Sequence, residues 1–111
     1  MPLPAFIRAL PAADIPVPED LVTTNAMQSE DGLIVFFTIH KDMEIPPHSH
    51  GPQWGMVIEG RFELTMNGET RVCTAGDSYD IPAGVEHGAK LTAGTILMDV
   101  FAEHDRYALR R

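Results

Sequence analysis

The stretch Pro46-Pro47-His48-Ser49-His50-Gly51-Pro52-Gln53-Trp54-Gly55 sets two imidazoles at i and i+2. In an extended segment that spacing points both rings to one face. A divalent ion needs several lone pairs within roughly 2.0 to 2.3 Å, and neutral imidazole supplies them to zinc, iron, nickel, copper and manganese alike. The pair therefore suits chelation, and prolines 46, 47 and 52 stiffen the chain around it. Surface histidines produce such pairs by chance often enough that the rest of the chain has to be consulted.

From His50 the chain runs to Gln53, then through six residues to Gly60, and later reaches Gly76-Asp77-Ser78-Tyr79-Asp80-Ile81-Pro82-Ala83-Gly84-Val85-Glu86-His87. These stretches resemble both motifs of the cupin family: an HxH segment followed by an amide or carboxylate and a turn glycine, then G-x5-P-x-G-x2-H. The second motif is complete from Gly76 to His87, and 15 residues separate Gly60 from Gly76, as in compact bacterial cupins. The resemblance spans the whole barrel of a small single-domain cupin. It implies an all-β double-stranded β-helix, or jelly-roll barrel, with His48, His50, Gln53 and His87 around one divalent metal ion per chain, be it zinc, iron, manganese, nickel or copper.

The residues agree with that reading. Pro82-x-Gly84 makes a sharp corner, and His87 then begins a strand facing His48 and His50 across the barrel. Three histidines inside a β-sandwich would be desolvated without partners unless they held an ion. Two departures from the family stand out. Gln53 occupies a position where relatives commonly carry Glu, after a loop one residue shorter, so it either ligates or serves as a structural hydrogen-bonding group. Leu91 replaces the asparagine that usually follows the last histidine.

Short segments rich in Val, Ile, Phe and Thr, separated by Gly, Pro and Asn, predict eight strands: 21–28, 33–41, 54–59, 61–66, 69–74, 78–82, 86–91 and 95–102. Asn67-Gly68 between two alternating runs predicts a type I′ hairpin. Prolines 2, 4, 11, 16 and 18 predict that residues 1–20 form an extended arm, leaving 21–111 as a single barrel domain. The segment 33–41 is apolar on both faces, and Trp54, Met56 and Ile58 form a further apolar row, which predicts a homodimer that buries them, with the arm lying along the partner's sheet edge.

The formal charge of −8 over 111 residues argues against a nucleic-acid partner, since the only clustered cations are Arg106, Arg110 and Arg111, read as a solvated tail without function. The chain has no apolar run of the ~20 residues that a membrane span needs and no signal-peptide pattern. A single cysteine, Cys73, fits a reducing compartment and a cytoplasmic protein, and reads as a small buried hydrophobe. His40 and His104 read as solvated, Glu63 and Asp99 as solvent-facing alternates, Tyr79 as a core or interface aromatic and Trp54 as an interface residue. A barrel-mouth metal that keeps a free coordination position suits catalysis. The resemblance implies an enzyme of dioxygenase, isomerase, lyase or cyclase type acting on a small oxygenated organic molecule. The alternative is a noncatalytic binding or sensing module of the same fold.

Overall fold

A computed structural model describes residues 3–110. In chain order it comprises α1 (Ala5–Arg8), β1 (Ala12–Ala13), β2 (Val22–Ser29), β3 (Gly32–Ile39), β4 (Met43–His48), β5 (Gln53–Glu59), β6 (Arg61–Met66), β7 (Glu69–Thr74), β8 (Ser78–Ile81), β9 (His87–Leu91), β10 (Ile96–Phe101) and β11 (Leu109–Arg110). All eight expected strands are present, none with an end displaced by more than two residues. β4 was not expected, because Pro46 and Pro47 argue against a strand. It is tolerated because β4 is an edge strand, where missing N–H donors break no ladder.

The strands form a jelly roll of two antiparallel sheets, ordered β2-β3-β10-β5-β8 and β4-β9-β6-β7. Alternation sends Val35, Ile39, Val57 and Leu97 inward from the first sheet and Phe62, Leu64 and Leu91 inward from the second, and these side chains are buried. Asn67 and Gly68 both have positive φ, 51° and 79°, so the β6–β7 hairpin takes the expected type I′ turn.

Residues 3–20 are not extended throughout. Four of them form the helical turn α1, and β1 pairs with β11 of the same chain. Asn25 Nδ2 donates to the Arg8 and Leu10 carbonyls, tying the arm to its own barrel. Arg110 completes this clasp, with contacts to Asp14 (2.9 Å) and Glu19 (2.5 Å). Met1, Pro2 and Arg111 lie outside the described residues. No helix among the described residues is long and apolar enough to cross a membrane.

Candidate metal centre and cavity

His48 and His87 do not face each other across the barrel as expected: they are direct cross-strand partners on the neighbouring strands β4 and β9 of one sheet. The pairing slips between Ile45 and His48, and this irregularity absorbs Pro46 and Pro47 and turns His48 back toward the barrel. Gly88 permits the close approach, since a Cβ there would stand 2.9 Å from the Ile45 carbonyl oxygen. His50 follows in the loop before β5, held by three backbone anchors. Its carbonyl accepts from Gly84 N–H (2.9 Å), Gly51 N–H donates to Glu103 Oε1 (2.7 Å), and Ala102 N–H donates to the Pro52 carbonyl (3.0 Å).

The three imidazoles form one cluster. Ring centroids lie 4.3 Å apart for His48 and His87, 4.9 Å for His50 and His87, and 5.2 Å for His48 and His50. Each Nδ1–H donates to a backbone carbonyl: His48 to Pro46 (3.0 Å), His50 to Gly51 (2.8 Å), His87 to Val85 (2.9 Å). That fixes one tautomer and leaves every Nε2 with a free lone pair. One nitrogen of each ring lies within 4.8 Å of one of each of the others, a spacing that could hold a metal ion. His50 Nε2 is buried with no hydrogen-bond partner, as a metal-binding nitrogen would be. Burial, followed by the charges of Arg106 and the neighbouring histidines, lowers the pKa of His50 and of His87, which keeps both rings neutral and able to ligate.

The cluster opens into a cavity of about 470 Å³ between the two sheets. Gln53 lines it, and its side-chain amide favours the ionised form of the neighbouring Asp99 carboxyl.

Asp99 departs from its expected solvent-facing position. It is buried on the cavity wall, where Tyr79 Oη donates to it at 2.5 Å, and burial raises its carboxyl from 3.8 to about 6 against the opposing pull of Tyr79 and Gln53. The Tyr79 hydroxyl is pushed far above its ordinary value by burial and by the Asp99 charge. Gly55 makes room for the pair, because a Cβ there would come within 2.1 Å of Asp99 Oδ1. Asp99 alternates with Leu97 and Phe101, but Ile96, Met98 and Val100 make the other face of the strand equally apolar, so no local signal places the carboxyl inside.

Arg106 also departs from expectation. It is no solvated tail residue: it lines the cavity, its Nε is buried without a hydrogen-bond partner, and its guanidinium stacks on Tyr107 at 4.6 Å. Nothing in the sequence marked it, because it lies in an irregular segment whose path depends on the β1–β11 clasp.

The remaining candidates lie elsewhere. His40 is exposed and hydrogen-bonds Thr23, His104 is exposed, and Glu63 sits on β6 opposite the inward-facing Phe62 and Leu64. Cys73 is buried and its thiol is raised by burial, which makes it unreactive.

Comparison with known proteins agrees with this architecture. Residues 35–101 match the family model of the cupin domain. Seventy-seven residues are 32% identical to the pectin degradation protein KdgF of Dickeya dadantii (strain 3937), covering 67% of this chain and 70% of that protein. The fold is similar to that of KdgF from a Halomonas species, with TM-score 0.71, 26% identity and coverage of 81% and 84% of the two chains. It is also similar to an RmlC-like cupin from Shewanella frigidimarina NCIMB 400, with TM-score 0.73, 29% identity and coverage of 86% and 87%.

Proposed function

The chain belongs to the cupin family, and on that footing we propose that it is a metal-dependent enzyme acting on a small oxygenated organic molecule. In this reading His48, His50 and His87 bind one divalent ion through Nε2 and Gln53 gives an oxygen as fourth ligand. The observation that carries it is the set of three tautomer-fixed imidazoles, one with a buried, unpartnered Nε2. Zinc, iron, manganese, nickel and copper all suit this donor set. Such an ion supplies Lewis acidity toward a bound oxygen.

The chain's own groups add what a bare binding module does not need. The unpartnered Arg106 Nε meets an anionic group, and the buried Asp99, oriented by Tyr79, exchanges a proton with the bound molecule. A carboxylate-bearing substrate fits Arg106. The buried lone thiol of Cys73 favours a cytoplasmic setting.

The outer face of the five-stranded sheet supports a homodimer. Met27, Ile34, Phe36, Trp54, Met56 and Met98 share that face by register, and Met27 and Trp54 remain 52% and 41% exposed. A second copy would cover it.

Elemental analysis of protein purified without a histidine tag tests the site, with about one metal per chain expected. Full metal retention in a His50→Ala, His87→Ala double variant would sink the assignment. Turnover is then sought on a panel of small keto, hydroxy and uronic acids. Tight binding without turnover, in a protein that holds its metal, would replace the enzyme by the sensing module.

A further inference from the structure

The register of the strands orders the cavity wall from one end to the other. Along β9 the inward positions run His87, Ala89, Leu91, and the facing positions on β4 and β6 run from His48 and Met66 through Ile45 and Leu64 to Met43 and Phe62. Across the barrel, β10 runs Phe101, Asp99, Leu97 beside Gln53, Gly55 and Val57 of β5. The polar end therefore holds the histidines and Gln53, with Arg106 lining it where it stacks on Tyr107, whose ring packs on Phe101. Midway stand Asp99 and Tyr79, already hydrogen-bonded to each other. Beyond them the buried lining is carbon, Val22, Phe37, Ile39, Met43, Leu91 and Leu97, with Ile15 and Val17 of the arm alongside, and the one polar residue lining that half is the exposed Glu44 at the β4 edge.

Small-molecule sites generally mix apolar walls with a few polar groups, but a polyhydroxylated ligand needs partners along its whole length. Here the buried polar partners stop halfway, and only the exposed Glu44 lies beyond them. A void with apolar walls does not recruit water and lowers stability while it stays empty, so a fold that keeps one gains most from an apolar occupant.

Resting on the metal-dependent reading above, we propose that the ligand is amphipathic, with an oxygenated chelating head at the three histidines and an alkyl or aryl body in the half of the cavity beyond Asp99. The arm, through Ile15 and Val17, forms part of the wall that receives this body.

Calorimetric titration of the metal-loaded protein with straight-chain alkyl hydroxamates from acetohydroxamate to octanohydroxamate decides it, with D-galacturonate as the wholly polar comparison. Affinity is expected to rise about threefold to fourfold per methylene and to level off when the apolar half is full. Leu97→Phe and Ile39→Phe, each filling that half from a different strand, should abolish the gain while metal content and acetohydroxamate affinity persist. Two variants on different strands keep the test standing if one of them does not fold. Acetohydroxamate binding with no gain along the series would overturn the amphipathic ligand alone, and so would galacturonate binding more tightly than every alkyl hydroxamate. No binding by any member, or a protein without metal, would overturn the metal-dependent reading together with it.

Discussion

Replacing Asp99 by Asn isolates the cost of holding a carboxyl inside the barrel. The substitution keeps the side-chain shape and an oxygen to accept from Tyr79 Oη, at 2.5 Å in the native protein. Burial lifts the folded-state carboxyl from 3.8 to about 6. Below 3.8 it is protonated in both the folded and unfolded chain, and its contribution to stability is fully present. As pH rises through about 6 the unfolded chain has already ionised while the folded one resists, and that contribution is lost. At ~1.36 kcal/mol per pH unit, a displacement of about two units amounts to about 3 kcal/mol, an upper value for a fully buried group. Urea unfolding of metal-free wild type and Asp99→Asn between pH 4 and pH 8 measures it, and histidine protonation cancels because both proteins share it. The stability of wild type relative to the variant should fall by about 2–3 kcal/mol across that range. Parallel curves would refute the reasoning, and a relative gain with pH would mean that Tyr79 and Gln53 outweigh desolvation.

Burial lowers the His50 and His87 pKa values below 6.5, so their neutral forms stabilise the fold above that pH and the contribution is lost as pH falls through the lowered values. Metal release, followed by dialysis and elemental analysis, should accordingly have its midpoint below about pH 6.5, and a midpoint above pH 7 would contradict the neutral-ligand picture. Gly55→Ala forces a Cβ to 2.1 Å from Asp99 Oδ1 and 2.5 Å from the Tyr79 ring. It should cost about 2–4 kcal/mol in urea unfolding, and a loss under ~0.5 kcal/mol would show that the pair can move aside. Light scattering at micromolar concentration should give twice the chain mass, falling to one chain in Met56→Glu; a monomeric wild type would refute the dimer, and a variant that stays dimeric would move the interface.

His48, His50 and His87 were legible because each is fixed by local chemistry: an i, i+2 pair between prolines, and a strand start after a Pro-x-Gly corner. The hairpin at Asn67-Gly68 was legible for the same reason. β4 was not, since its prolines are acceptable only at a sheet edge and edge position belongs to the tertiary fold. Asp99 was misplaced because strand alternation says which residues share a face but not which face is inside, and a carboxylate is ordinarily put outside. Arg106 reaches the cavity through contacts between residues about a hundred apart in sequence, Arg110 with Asp14 among them, and local patterns carry no such information.

The two prolines of β4 bear on how copies of this chain behave when crowded. β4 is the free edge of the four-stranded sheet, and an exposed edge offers unpaired backbone groups that can template fibril growth. Pro46 and Pro47 supply no N–H to such a pairing, and the bend they occupy carries the strand out of a flat register. The opposite edge, β7, presents Glu69 and Arg71 among its exposed residues. An incoming strand thus meets a broken ladder on one side and charge on the other, so the ligand-bearing edge can stay thin and open toward the cavity without seeding open-ended polymer.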